Sequence, residues 1–492
     1  MLILPAALAA ACGARAADPL AGASVVTHRD PRVRTLQRDL ARLFASPAVE
    51  RGLAAAVVQS IDRGEPLFRY NAHRLLIPAS TLKLATVAVA ADRLGWDYRF
   101  TTTLSATAPI DGGVLRGDLV VTGDGDPTIS RRYGSREPLL ASWADRLAAA
   151  GLRRIEGRLI GDDRAFGDAM WGDGWTWQDL QYGYGAAVDA LQVGDATTPL
   201  LIVPGVPGRP ASVSLMEPAA LAVDSDVTTV DAGSTPSIQF ERIPGQPRLR
   251  VTGHVAADAA PLVLYPAVPN PTDHFLEVLR QRLEAAGIAV RDGTADLDDA
   301  AAPPVPLVPP LLEHRSPALA EIAGVTLKDS HNLHAESLLR AIARTEQQAG
   351  SAEAGLRIVR RVLESWGVPP GAVRAADGSG LSRLNYVAPD ALLVVLRRMA
   401  TDPRHRDRWM SALPAGGSDG TLAARFVGGP AQGRVRAKTG SLSGVRALAG
   451  YVRTLDEETL AFVIIVNDAA AARGELEPVI DGVVDRLAAF RR

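Results

Sequence analysis

The chain of 492 residues carries one cysteine, Cys12. A single thiol excludes an internal disulfide, and no C-x-x-C or Cys/His spacing is left for a structural metal. Charge of one sign is also missing. Lys plus Arg total 53 against 55 Asp plus Glu, a net charge of −2, so nothing favours nucleic acid or an anionic surface as partner. No apolar run is long enough to span a bilayer. Aromatics are scarce at 5%, which makes any local cluster of them conspicuous. What is present is ample apolar material, 47% of residues. That composition excludes a disordered or fibrous chain, and the length suggests about three domains.

The first residues, "MLILPAALAAACGARAADPL", have the form of a processing segment. An apolar stretch precedes small residues, and Ala14-Arg15-Ala16 fits an A-x-A cleavage pattern, giving a signal peptide over 1–17. A second route fits the same residues, in which Cys12 becomes the acylated first residue of a lipoprotein. Cleavage is the preferred reading, because Leu8 stands where a lipobox leucine should be one position later. Either route implies export to the periplasm or cell envelope.

Helical pattern runs to about residue 96. Short alternating strands follow, as in "YRFTTTLSA" and "VLRGDLVVTGD" joined by "PIDGG", and turn signals recur to about 290. Five prolines between 303 and 310 mark a stiff connector. Helical periodicity then returns, followed by the strands "RVRAKTG", "RALAGYVRT" and "TLAFVIIVN" and a last amphipathic helix. The expected fold class is α+β, an antiparallel sheet with helices on it, interrupted by two nested β-rich insertions. The expected division is 30–103 with 308–492, then 104–205 with 291–307, and 206–290 nested within.

Three short motifs bear on chemistry. In "IPASTLKLAT", Pro78 starts a helix and Ser80 and Lys83, three apart, share its face. Alone, that is an N-cap serine and a solvated lysine. Ser330-His331-Asn332 lies between two helical runs, and Lys438-Thr439-Gly440 lies on a predicted strand whose glycine would let a ligand's backbone approach closely. The order S-x-x-K, S-x-N, K-T-G is that of penicillin-binding proteins and class A β-lactamases. A serine hydroxyl needs a base within hydrogen-bond reach, and a lysine serves if burial and a neighbouring cation keep it neutral.

The chain resembles the D-alanyl-D-alanine carboxypeptidase/endopeptidase family of low-molecular-mass, class C penicillin-binding proteins. "GDGDPTIS", "GDDRAF", "GWTWQDLQYGY", "ADGSGLSRLNYVAP" and "GGSDGTLAARF" are similar to that family's blocks, and the long interval between Lys83 and Ser330 matches its inserted domains. His331 departs from the acidic or polar residue usual there. The resemblance implies a β-lactamase/transpeptidase-like catalytic domain without metal or organic cofactor. It implies Ser80 as nucleophile, Lys83 as its base, Ser330 as proton relay, and Asn332 orienting Lys83 and the substrate amide. Lys438 and Thr439 would hold the substrate carboxylate, with Gly440 beside them, and the N–H groups of Ser80 and Ser441 the oxyanion. The implied partners are peptidoglycan stem peptides, with β-lactam antibiotics as covalent inhibitors. Two alternatives stand beside it: a β-lactamase or esterase on the same domain, and a non-catalytic penicillin-binding scaffold of the cell wall.

Other features have plainer readings. Gly416–Gly420 matches G-x-S-x-G, but Pro414 and the lack of a buried strand before it favour a turn around Ser418. His331 and His334 have no third ligand of fitting spacing, and read as surface residues or as support for the site. Asp124, Asp126, Asp377 and Ser379 read as turn formers. Trp175, Trp177, Tyr182 and Tyr184 surround Asp179 in an aromatic-poor chain. Interdomain packing explains them equally well as substrate binding. By the resemblance, Asp179 receives the free amine of the stem's diamino acid, with Trp177 and Tyr184 gripping the aliphatic stem.

Overall fold

The computed structural model describes residues 28–133, 136–167, 169–243, 246–297, 306–346, 349–469 and 474–492. The expected signal segment and Cys12 lie outside the described residues, as do residues 298–305 of the proline-rich connector. Among the described residues no helix is long and apolar enough to cross a membrane.

The two ends of the chain build one five-stranded antiparallel sheet. Its order is Pro66–Tyr70, Leu53–Ser60, Thr459–Asn467, Val445–Arg453, Val435–Leu442. Successive side chains of a strand face opposite sides, and both sides are covered here. Ala461, Val463 and Ile465 enter one core with helices Lys83–Leu94, Asn332–Arg344 and Pro389–Thr401; Phe462, Ile464 and Val466 enter another with helices Pro31–Phe44 and Leu476–Ala488. This corrects the helical reading of the first hundred residues. "LAAAVVQS" is a strand because double-sided burial asks for a continuous apolar run, not alternation. Burying neighbours worth about 2 kcal/mol each outweighs the weak strand propensity of its alanines.

A second five-stranded sheet, Thr294–Asp296, Leu159–Asp162, Leu119–Gly123, Thr101–Ala106 and Leu312–Arg315, mixes parallel and antiparallel pairs. Helices Arg136–Ala149 and Pro271–Ala285 share its apolar core. Two three-stranded sheets, containing Leu200–Val203 and Arg248–Ala256, share a smaller core through Leu200, Ile202, Val227, Leu249 and Val251. Helix Pro271–Ala285, expected in the nested unit, buries Phe275, Leu276 and Leu279 against the second sheet. Strand Leu312–Arg315, expected in the catalytic domain, pairs with Thr101–Ala106.

Helix Lys83–Leu94 positions the site. Every residue from Lys83 to Ala91 is buried, so its first turn cannot shift without disturbing the main core. Gly95, at φ +84°, ends it.

Candidate active site

Ser80 lies in the 3-10 turn Ala79–Leu82 that leads into this helix. The preceding Ala79 has φ +47°, a left-handed conformation costing a non-glycine about 1 kcal/mol or more. Two glycines hold it. A Cβ on Gly380 would stand 2.0 Å from the Ala79 carbonyl oxygen, and one on Gly440 would stand 2.7 Å from that of Pro78. The glycine of K-T-G therefore also admits the serine-bearing turn.

Lys83 is fully buried. Its Nζ lies 2.9 Å from Ser80 Oγ and donates to Asn332 Oδ1 at 2.6 Å and to the Ser379 carbonyl at 2.6 Å. Burial pushes its pKa down to about 7, while Asp377 and Glu336 pull the other way. Lys438, also fully buried, donates to Ser330 Oγ at 2.8 Å and to the Thr439 carbonyl at 2.8 Å. Burial first and Lys83 second hold it well below an ordinary lysine. The expected cause is thus reversed in part: the neighbouring-cation effect falls on Lys438, and Lys83 is shifted by burial.

Ser330 has φ +60°, and Asn332 opens helix Asn332–Arg344. Asn332 Nδ2 donates to the Tyr184 carbonyl at 2.7 Å, so one amide joins the lysine to the aromatic segment. His334 is buried and His331 is half-buried. Their Nδ1 atoms approach to 2.8 Å, and His334 Nε2 meets Tyr133 Oη at 3.2 Å. Arg132 joins Asp195 to Asp329, the residue before Ser330. Together these contacts brace the S-x-N turn.

One cavity of about 730 Å³ is lined by Ser80, Ser330, Asn332, Ser441, Asp179 and Tyr184. An adjoining one of about 240 Å³ is lined by Thr439, Gly440 and Ser441 with Thr421, Arg425 and Arg446. Asp179 accepts hydrogen bonds from Thr176 Oγ1 at 2.6 Å and Tyr184 Oη at 3.2 Å, and Tyr184 stacks on Tyr182 at 5.3 Å. Trp177 is not brought to the site: it is 40% exposed and lines neither cavity. Ser418 lies in a turn after Gly417, at φ +67°, as expected.

Sequence reasoning missed three parts. Thr421 Oγ1 accepts from Thr439 Oγ1 at 2.9 Å. Asp377 forms the turn as expected, accepting from the N–H groups of Gly380 and Ser382, but it is also buried and accepts from Trp175 Nε1. Glu336, one helical turn after Asn332, accepts from the N–H groups of Gly378 and Ser379. The i, i+4 spacing of Asn332 and Glu336 was the available signal.

A buried amine against a serine hydroxyl, with a second amine against a second serine, can activate an oxygen nucleophile and deliver a proton to a leaving group. The D-Ala-D-Ala carboxypeptidase 3 (S13) family model matches residues 36–487. The chain belongs to this family. A D-alanyl-D-alanine carboxypeptidase of Actinomadura sp. (strain R39) is 35% identical over 478 residues, covering 93% of this chain and 85% of the relative. Penicillin binding protein 4 from Haemophilus influenzae superposes with a TM-score of 0.78 at 28% identity, covering 91% of this chain and 97% of that one. A second crystal structure of that protein, complexed with a novel β-lactam, superposes at 0.72 and 26% identity over 92% and 97%. The family's α+β fold, with helices on an antiparallel sheet, is the one expected.

Proposed function

We propose that the protein is a serine-type D-Ala-D-Ala carboxypeptidase of peptidoglycan stem peptides, that it also cleaves cross-links as an endopeptidase, and that penicillin acylates it. The observation that carries this reading is the buried Lys83 Nζ 2.9 Å from Ser80 Oγ, at the wall of a cavity that Ser330 also lines. Ser80 Oγ attacks the carbonyl carbon of the penultimate D-alanine as its proton passes to Lys83 Nζ. Lys438 and Thr439 take the terminal carboxylate. N–H groups of Ser80 and Ser441 receive the oxyanion, each worth about 3 kcal/mol. The amide C–N bond breaks as Ser330 gives a proton to the departing amine, and that hydroxyl is replenished through the lysines. Water then adds to the ester, its proton returning through Lys83, which frees the shortened peptide and Ser80. In the endopeptidase reaction the leaving amine belongs to a neighbouring stem's diamino acid instead of D-alanine.

Asp179 receives the free amine of the stem's diamino acid, with Tyr184 beside it. Export to the cell envelope follows from the processing segment, by cleavage or through Cys12. The packing supports a catalytic unit on the first sheet, interrupted by a unit on the second sheet that itself contains the small double-sheet unit.

The test is to incubate the mature protein with a diaminopimelate-containing pentapeptide, a cross-linked dimer and penicillin. Release of D-alanine and of monomer, with a long-lived penicilloyl adduct, is the expected outcome. In the penicilloyl enzyme the leaving amine stays tethered and obstructs water. Rapid multiple-turnover penicillin hydrolysis would identify a β-lactamase instead. Stable labelling with no release from either peptide would identify a silent binding protein.

A further inference from the structure

A neutral lysine amine has two N–H bonds and one lone pair. For Lys83 to take the Ser80 proton, the lone pair must face Ser80 Oγ, and both N–H bonds must be spent elsewhere. The structure offers two acceptors for them, Asn332 Oδ1 and the Ser379 carbonyl, each at 2.6 Å. Asn332 belongs to the recognised motif; the Ser379 carbonyl is a backbone atom of a glycine-flanked loop and needs its own support. Glu336 supplies it. Its Oε1 accepts the N–H groups of both Gly378 and Ser379 at 2.8 Å, and its Oε2 turns toward Arg340 at 3.5 Å. Arg340 is in turn tied to the Ala169 carbonyl at 2.7 Å.

We propose that Glu336 is a positioning residue for the reaction: by clamping the 378–379 peptide it fixes the Ser379 carbonyl that orients the Lys83 lone pair, and its charge tunes how readily Lys83 gives up its proton. The inference rests on the acyl-transfer reading of Ser80 and Lys83. Glu336 touches no substrate; it acts through the loop. The charged groups around the pair are Asp377, Arg340 and Lys438, with Asp189 acting on Arg340. Burial and Asp377 raise Glu336 to about 7, and Arg340 and the two N–H donors lower it. Where it is ionised, near and above pH 7, the carboxylate pulls Lys83 toward its charged form, so its removal lowers the midpoint at which Lys83 becomes a neutral base.

Two variants separate the clamp from the charge. Glu336→Gln keeps a carbonyl oxygen for the two N–H groups and loses the charge. Glu336→Ala loses both. The readout is single-turnover acylation by a fluorescent penicillin across pH 5–9, with melting curves for each protein. Wild-type acylation at Ser80 is measured first, and its absence would overturn the catalytic reading, not this one. Glu336→Gln is expected to move the midpoint of the acid limb, near pH 7, down by about half a unit. Glu336→Ala is expected to lower the maximal rate about tenfold to a hundredfold, the cost of a misplaced reacting group, with Gln recovering most of that loss. A folded Glu336→Ala protein within threefold of wild type overturns the clamp. If Glu336→Ala fails to fold, the Gln profile decides: a limb that does not move overturns the proposal.

Discussion

Lys83 and Lys438 are both fully buried, and each reaches a serine hydroxyl within 3 Å. What differs is their company. Lys83 has Asp377 and Glu336 acting on it from nearby, whereas the one charged neighbour that shifts Lys438 is Lys83 itself. Two desolvated amines so placed cannot both keep a proton cheaply. The carboxylates favour charge on Lys83. A substrate carboxylate arriving at Lys438 supplies the counter-charge that end lacks, and favours charge there instead. In the proposed mechanism, equal burial thus serves two roles, a base at one end and an anion grip at the other, set apart by the neighbours.

Lys83→Arg keeps charge but cannot accept the Ser80 proton, so penicillin acylation and D-alanine release should fall by about a thousandfold or more. At the other end, Lys438→Arg keeps the cation that a grip requires. Its larger head fits the buried pocket poorly, so kcat/KM should fall about tenfold to a hundredfold, less than for Lys83→Arg in the same assay. Equal losses at the two positions would erase the distinction.

The pH profile sharpens it further. Lys83 is pushed down to about 7 and must be neutral to act. The rate should therefore be full above that value and fall about tenfold per pH unit below it. A profile flat from pH 8 to 5 would remove Lys83 from the base role. The smallest effect belongs farthest from the two lysines. Asp179→Asn should lower kcat/KM for peptides with a free side-chain amine about tenfold, the worth of a charged hydrogen bond, and leave acetylated peptides within about threefold. Equal losses on both would make Asp179 structural.

Much of the site was legible because its reacting side chains sit in short contiguous stretches. Ser80, Lys83, Ser330, Asn332 and Lys438 all converge, although 249 positions separate Lys83 from Asn332. What was not legible is what backbone and packing supply. The Ser379 carbonyl has no residue signature, since every residue carries one. The contact of Gly440 with the Pro78 carbonyl has no residue signature either. Trp177 shared a cluster with Tyr184, but the chain turns between them and points only one into the cavity. Strand Leu53–Ser60 was hidden because an apolar run buried on both faces carries no period.

The central claim is that the hydroxyl beside Lys83 is the one acylated. It is tested most directly by labelling the protein with a fluorescent penicillin and mapping the adduct by peptide mass spectrometry, in wild type, Ser80→Ala and Ser418→Ala. The adduct should lie on Ser80, vanish in a folded Ser80→Ala protein, and persist in Ser418→Ala. An adduct on any other residue, or labelling that survives in folded Ser80→Ala, would contradict the account.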